Sequence, residues 1–324
     1  MANESEMCFL TTQRIQTMKN KLIIGVHGLA NKPSQELLRR SWLSAINEGL
    51  EWINAGVDVS PDNFRMFYWA DSIYIRPESH DEEDGSPFKL SDTYCRAQHQ
   101  PPKYQDNFFQ RESIWFAKKI HNYLYSHNFT ALNIVAKPVV ATAMKDLDVY
   151  GNLTRRFHGA QTASEYLTGS LHNFLRENRD RSVMLIGHSL GSLIAYETLK
   201  YHLDVSVDLL LTIGSPLMLL GFKQGLMESQ RRFQDCTWLV VPQNIHAWKN
   251  FADWNDPIIM KSLVSLREDY MTKDGKQIVE DALVQNTYAY KNDKGENIAN
   301  HHKSYGYLRC PEVSAAIQNF LLAP

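Results

Sequence analysis

A serine lies between two glycines at the point where a strand pattern in this sequence meets a helix pattern. Residues 183–186 are Val-Met-Leu-Ile, an apolar run typical of a buried strand, and residues 192–200 repeat apolar side chains at helical spacing. Between them lies Gly187-His-Ser-Leu-Gly191, which has the pattern G-x-S-x-G. In so tight a turn the glycines avoid collisions with the neighbouring strand and helix, and a strained backbone holds the Ser189 hydroxyl out of the sheet. The pattern therefore predicts a nucleophile elbow.

Strand and helix patterns alternate along most of the chain. Strands are predicted at residues 21–28, 64–70, 183–187, 208–214 and 245–251, and helices from Ser34 onward, at 161–177, after the serine and at 313–322. A repeated β-then-α order gives parallel strands joined by right-handed crossovers, so the predicted fold class is α/β with a doubly wound, mostly parallel sheet. Such sheets bind ligands at the carboxyl ends of their strands, where Gly28, Ser189 and Gly214 all fall.

The alternation stops between residues 71 and 156. This stretch contains an acidic run at 81–84, a Pro-rich segment at 100–103 and helical patterns at 108–127 and 131–147. We interpret it as a helical insertion, a cap or lid over the sheet edge, within a single domain of residues 1–324. The mostly apolar segment 131–147 is expected to be either a mobile lid that lines an acyl pocket or an ordinary buried helix.

Composition and charge exclude several classes of function. The chain has 34 Lys and Arg against 36 Asp and Glu, a formal charge of −2, and no basic tract, so nucleic acid is not an expected partner. The first ten residues lack the basic and apolar regions of a signal peptide, and no run approaches the roughly 18 apolar residues of a membrane span. The four cysteines are far apart, which fits a reducing compartment. The protein is expected to be cytoplasmic, with any membrane contact through the insertion alone.

A serine hydroxyl becomes a good nucleophile only when a base takes its proton, and a histidine base needs a carboxylate that fixes its tautomer. After a G-x-S-x-G turn the chain order is the acid and then the histidine. Asp256, in a loop just past a predicted strand, is the favoured acid, and Asp253 is the alternative; whichever is not the acid is expected to cap an Asx turn. His302, on a loop before the last predicted helix, is the favoured base, and His301 is the alternative.

The same chemistry needs backbone N–H groups that stabilise a developing oxyanion. One is expected from Leu190, the residue after the serine, and the other from Leu29 in the turn after the first strand. Gly28 lets that turn bend close to the substrate, and Gly28 and His188 are expected to border it; a packed His188 with no chemical role is the alternative. No cofactor is expected, and no metal, because the adjacent histidines cannot easily face one ion and lack a carboxylate or thiolate at ligand spacing.

These motifs resemble those of the α/β-hydrolase superfamily, and within it the lipase and esterase-like branch. The resemblance covers residues 21–70 and 161–324, although the strands that open a full eight-stranded sheet are not evident before Lys21. It rests on five motifs: His27-Gly28, Gly187-His-Ser-Leu-Gly191, Thr212-Ile-Gly-Ser-Pro216, Trp248-x-Asn250 leading to Asp256-Pro257, and His302-Lys-Ser-Tyr305. It implies these roles: nucleophile Ser189, acid Asp256, base His302, and oxyanion donors Leu29 and Leu190.

The resemblance implies hydrolysis of carboxylic esters through an acyl-enzyme intermediate. The expected partner is a small-molecule or lipid ester, with lipid esters slightly favoured. Thioesters and amides would use the same residues, so they remain alternatives. A different class, a non-catalytic protein that keeps the fold and binds a ligand or partner in the pocket, is the second hypothesis.

Overall fold

The computed structural model describes residues 20–77, 94–97, 149–152, 154–218, 220–231, 236–253, 255–256, 266–291 and 295–324. Within these ranges the strands are β1 (Lys21–Val26), β2 (Phe64–Phe67), β3 (Ser182–His188), β4 (Leu209–Ile213), β5 (Leu239–Val240), β6 (Trp248–Asp253), β7 (Tyr270–Met271), β8 (Val279–Val284), β9 (Ala289–Lys291) and β10 (Asn297–Ala299). Six of them form the central sheet, in the order β2-β1-β3-β4-β6-β8, and every pairing in it is parallel. The predicted α/β class with a parallel sheet is confirmed.

Helices cover both faces of this sheet. They are α1 (Gln35–Trp52), α2 (Ala163–Arg176), α3 (Leu190–Tyr201), α4 (Leu220–Arg231), α5 (Ser304–Leu308) and α6 (Pro311–Leu322), with short 3₁₀ turns at Pro61–Asn63, Ala70–Ser72 and Pro216–Met218. Helices α1, α5 and α6 pack together on one face, and α2 packs with α3 on the other. Each face therefore has its own hydrophobic core.

Successive side chains of the central strands enter opposite cores. Ile23 of β1 and Met184 of β3 belong to the core under α1, whereas Leu22 and Leu185 belong to the core under α3. All four side chains are fully buried. Because both faces are covered, these strands have continuous apolar runs instead of an alternating pattern. This arrangement fixes the register that places the carboxyl ends of the strands at a common edge.

The helix starts follow local capping rules. Ser34 is the N-cap of α1, and its hydroxyl accepts the N–H of Leu37 at 3.4 Å. Thr162 begins α2 with a capping box, in which its hydroxyl accepts the N–H of Glu165 and the Glu165 carboxylate accepts the N–H of Thr162. The helices predicted from Ser34, at 161–177 and at 313–322 are therefore confirmed to within about two residues.

Two parts of the sheet differ from the sequence-based expectation. The strand predicted at 245–251 is shifted along the chain, because β6 covers 248–253 and Ile245 makes only an isolated bridge to Val207. Asp253 is consequently the last residue of the strand. The edge strand β8 was not predicted at all, since its sequence Val-Glu-Asp-Ala-Leu-Val mixes charged and apolar side chains on a half-exposed edge.

Residues 1–19 and most of 71–156 lie outside the described residues, including the helical patterns at 108–127 and 131–147. The single domain with a cap or lid therefore stays a prediction. Within the described ranges, none of the helices combines the length and the apolar character that a bilayer crossing requires.

Candidate active site

The turn between β3 and α3 has the strained backbone that the G-x-S-x-G pattern predicts. Ser189 has φ 52° and ψ −128°, a conformation that side-chain-bearing residues rarely adopt. A Cβ on Gly187 would lie 2.6 Å from the Cα of Ser192 in α3, and one on Gly191 would lie 2.6 Å from the carbonyl oxygen of His27. Since these are backbone atoms that cannot move aside, the helix packs this closely on the sheet only with glycine at both positions.

The serine lies between the ends of the strands on either side of β3. A Cβ on Gly28, in the turn after β1, would lie 2.7 Å from the Cβ of Ser189, and the N–H of Ser189 donates to the carbonyl of Ile213 in β4 at 3.2 Å. Ser189 is only 3% exposed. The residue is therefore less accessible than the sequence suggested, and it lies below the surface at the carboxyl edge of the sheet.

His302 and Asp256 form a hydrogen-bonded pair at the same edge. Nδ1 of His302 lies 2.8 Å from Oδ2 and 3.0 Å from Oδ1 of Asp256, whose carboxylate is buried. A Cβ on Gly214, the residue after Ile213, would lie 3.1 Å from Oδ2 of Asp256 and 3.2 Å from Nδ1 of His302. Because the carboxylate accepts the proton on Nδ1, the neutral ring keeps its lone pair on Nε2. Such a ring can accept a proton at Nε2.

The alternative acid and the alternative base form a second pair. Nδ1 of His301 lies 3.2 Å from Oδ2 of Asp253. That carboxylate also accepts the N–H of Asn255 at 2.6 Å and the N–H of Asn286 at 2.5 Å. Asp253 thus closes an Asx turn and ties the end of β6 to the segment after β8. Of the two pairs, the one containing His302 lies against the turn that follows β4, next to the serine.

Tyr307 contacts both aspartates, the carboxylate of Asp256 and the backbone of Asp253. Its hydroxyl donates to Oδ2 of Asp256 at 2.6 Å and accepts the N–H of Asp253 at 2.9 Å. Burial, and then the negative charge of Asp256, raise the pKa of Tyr307 well above its ordinary value. The hydroxyl therefore stays protonated and keeps donating to the carboxylate.

Two side chains fix the backbone of residues 301–303, which we call the histidine loop. Nδ2 of Asn286, which is fully buried, donates to the carbonyls of His301 at 2.8 Å and Lys303 at 2.9 Å. Nε2 of His188 lies 2.8 Å from the carbonyl of His302, and the two rings are 4.8 Å apart. Burial, and then the charge of His302, lower the pKa of His188, so the neutral ring carries its one proton on the nitrogen that faces this carbonyl. Three consecutive carbonyls, 301 to 303, are thus held by side chains.

His27 orients the peptide that contains the Leu29 N–H. Nε2 of His27 accepts the N–H of Trp69 at 3.0 Å, so Nδ1 carries the proton and donates to the carbonyl of Gly28 at 2.9 Å. Burial, and then the charge of Lys32, lower the pKa of His27, which keeps this ring neutral. Because the peptide is trans, the N–H of Leu29 points away from the Gly28 carbonyl, and the histidine sets the direction of both.

The rest of this turn is fixed through its carbonyl groups. The buried ammonium of Lys32 donates to the carbonyls of Leu29, Ala30 and Asn31, the last two at 2.9 and 3.3 Å. Ala30 has φ 68°, a left-handed conformation that these contacts stabilise. On the other side of the serine, Leu190 begins α3, where the first N–H groups have no partner within the helix. The two N–H groups expected to bind an oxyanion therefore flank the serine.

The sequence-predicted residues thus meet at one edge of the sheet. The structure brings together there Gly28, Leu29, His188, Ser189, Leu190, Asp256 and His302. His188 is expected to border the substrate, and its Nε2 lies 2.8 Å from the carbonyl oxygen of His302. Sequence reasoning missed Tyr307 and Asn286. Tyr307 lies two residues beyond the H-x-x-Y motif, whereas nothing in the sequence around Asn286 marks it.

Comparison with known proteins agrees with this geometry at the level of the family. The model of the PGAP1-like alpha/beta domain matches residues 148–317, more than half of the chain, and the match contains the serine turn and both His–Asp pairs. A comparison with curated proteins gave no match. The predicted resemblance is confirmed: the chain belongs to the PGAP1-like alpha/beta domain family, a member of the lipase and esterase-like α/β-hydrolases.

Proposed function

We propose that the protein hydrolyses carboxylic esters, with Ser189 as the nucleophile, His302 as the general base and Asp256 as the acid that orients it. One observation carries the proposal. The strained serine turn follows β3, and the hydrogen-bonded His302–Asp256 pair lies against Gly214, which follows the neighbouring strand β4 at the same carboxyl edge. The hydrolase-type fold of the family supports it.

The reaction would begin when Nε2 of His302 removes the proton of the Ser189 hydroxyl. Oγ then attacks the ester carbonyl, and the negative charge on its oxygen is stabilised by the N–H groups of Leu29 and Leu190. The carbon–oxygen bond to the alcohol breaks, and the imidazolium gives its proton to the departing alkoxide. Water, deprotonated by the same histidine, then attacks the acyl-enzyme; the bond between the acyl carbon and Oγ breaks, the imidazolium returns its proton to Oγ, and the carboxylic acid is released.

The proposed substrate class is an ester of a small molecule or a lipid, and lipid esters are slightly favoured. Thioesters and amides would follow the same steps, so a series of substrates must separate them. A p-nitrophenyl ester series of increasing acyl length distinguishes short-chain from lipid-like specificity, and thioester and anilide analogues test the leaving group.

The test of the nucleophile is reaction with a fluorophosphonate probe. Wild-type protein should be labelled and should hydrolyse a p-nitrophenyl ester, whereas Ser189→Ala should do neither. Ser206→Ala, which changes an exposed serine between α3 and β4, is the matched control and should behave like the wild type. Retained turnover in Ser189→Ala would refute the assignment. A folded wild-type protein that fails to react with the probe would favour the non-catalytic alternative.

A second comparison tests the choice between the two His–Asp pairs. His302→Ala should reduce kcat by several orders of magnitude, because it removes the base. His301→Ala should retain most of the activity, since its ring pairs with Asp253 instead. The reverse result would assign the base to His301 and reject the pair proposed here.

A further inference from the structure

Two histidines and one aspartate meet where α2 and α3 end, away from the serine turn. His172 lies in the last two turns of α2, His202 is the C-cap of α3, and Asp204 follows in the next turn. One nitrogen or oxygen from each lies within 4.8 Å of the other two. We propose that this cluster binds a divalent transition-metal ion, for which Zn²⁺ is the probe. The spacing of 30 residues between the two histidines hides the cluster from motif searches.

The distances are close to those of a metal site. Nε2 of His172 lies 2.9 Å from both carboxylate oxygens of Asp204. In a four-coordinate zinc site with bonds of about 2.0–2.2 Å, ligand atoms are about 3.3 Å apart, so this pair is already near its required separation. The nitrogen of His202 needs to approach by at most about 1.5 Å. A tilt of its ring out of the present stack, in which the rings are parallel and 4.1 Å apart, provides that movement.

The chemistry of the cluster favours a cation. Two imidazole nitrogens and a carboxylate are a common zinc ligand set, and a water molecule can complete four-fold coordination because Asp204 is exposed. The carboxyl-terminal end of α3, where His202 lies, also carries a partial negative charge.

Arg176 is the one competing cation in contact with the cluster among the described residues. Its Nε lies 3.9 Å from Oδ2 of Asp204, and both side chains are more than half exposed. Exposed ion pairs of this kind contribute little free energy, so a metal ion can displace the guanidinium. The site would lie roughly 18 Å from Ser189, the length of the 12-residue helix α3. We therefore assign the ion a structural role, tying α2 to the end of α3.

The experiment is a titration of the chelator-treated full-length protein with ZnCl₂ by calorimetry. The wild type should bind one ion per chain in this cluster, with a rise in Tm. His172→Ala and His202→Ala should each lose that binding and the added stability. Arg176→Gln should bind zinc several-fold more tightly, because it removes the competing charge. Co²⁺ in place of Zn²⁺ should give the intense visible absorption of a tetrahedral site in the wild type, and not in His172→Ala.

His246→Ala is the matched control. His246 is an exposed histidine 3.7 Å from Asp208, a His–Asp pair without a second histidine among the described residues, and its loss should leave zinc binding unchanged. Asp204→Asn is a third variant, at an exposed position where misfolding is not expected, and it should also lose zinc binding. Absence of zinc binding by the wild type overturns the proposal. Binding that persists in His172→Ala and disappears in His302→Ala also overturns it, since the ion would then lie at the serine site.

Discussion

The hydroxyl of Tyr307 donates a 2.6 Å hydrogen bond to Oδ2 of Asp256. The same oxygen lies 2.8 Å from Nδ1 of His302, so the tyrosine and the histidine share one carboxylate oxygen. All of these contacts are buried or nearly so, and they leave the carboxylate little freedom to rotate. On the proposed function, Tyr307 positions the acid and moderates its charge without touching the substrate.

Tyr307→Phe is therefore expected to lower kcat about tenfold with little change in KM, the effect of losing roughly 1.4 kcal/mol of a hydrogen bond to a charged group. The carboxylate that loses this donor keeps a more concentrated negative charge and stabilises the imidazolium more strongly. The acidic limb of the kcat/KM profile should consequently move to higher pH. A pH–rate profile with a p-nitrophenyl ester measures both effects.

Tyr196→Phe is the matched control for this prediction. Tyr196 is equally buried and donates its hydroxyl to the carbonyl of Val240 at 3.1 Å, far along α3 from the serine. It should lose a similar amount of stability and show the wild-type pH profile. A Tyr307→Phe profile that also matches the wild type would leave the tyrosine with a packing role alone.

Asn286 is the second positioning residue that we expect from the geometry. Its amide donates to the carbonyls on both sides of His302, so Asn286→Ala should free the histidine loop and lower kcat by about 10- to 100-fold, the effect of a small misplacement of a catalytic group. The rate of labelling by a fluorophosphonate should fall in parallel, while circular dichroism shows that the protein is folded.

Two further variants separate this effect from a general loss of stability. Gly306→Ala places a Cβ against the Asn286 amide, and it should cause the same kinetic defect with Asn286 unchanged. Asn244→Ala removes a buried amide that donates to two carbonyls elsewhere, those of His202 and Val205, and it should destabilise without changing kcat. Equal activity in Asn286→Ala and Asn244→Ala would contradict the positioning role.

The serine turn could be predicted from sequence because its determinants are local. The apolar strand, the two glycines and the following helix are contiguous, and each restricts the backbone of Ser189 directly. The capping box at Thr162 is local in the same way. The parallel sheet followed from the repeated order of strands and helices, which limits the topologies that a chain can adopt.

The partners of the serine depend on contacts between distant segments. His301 and His302 are adjacent, and Asp253 and Asp256 are only three residues apart. Only the path of the chain therefore decides which histidine meets which aspartate. Asn286 acts through a hydrogen bond to carbonyls 15 and 17 residues away and carries no pattern that predicts it. Such residues are set by tertiary packing, which a single sequence does not reveal.

The strain at Ser189 predicts a conflict between stability and activity. Glycine adopts φ 52° without a steric penalty, whereas alanine has the same restriction as serine. Ser189→Gly should therefore unfold at a higher urea concentration than Ser189→Ala. The free energies of unfolding should differ by about 1 kcal/mol after the larger entropy of the unfolded glycine chain is included. Both variants should be inactive. At Ser206, which lacks a positive φ, the same comparison should favour alanine. Urea unfolding of all four variants decides the point, and a less stable glycine at both positions would show that the turn is unstrained.

The two buried histidines predict a loss of stability in mild acid. The pKa values of His27 and His188 lie well below the ordinary value in the folded protein, first because both rings are buried. Below about pH 6.5 the unfolded chain gains a proton on each ring that the folded protein does not accept, so the free energy of unfolding should fall by up to about 1.4 kcal/mol per pH unit for each histidine. Urea unfolding between about pH 7 and pH 5 measures this slope.

His27→Gln should reduce the slope, whereas His246→Gln, at an exposed side chain, should not. A slope that His27→Gln leaves unchanged would mean that the ring takes up a proton without unfolding, and the peptide that it orients would then change its hydrogen bonds in acid.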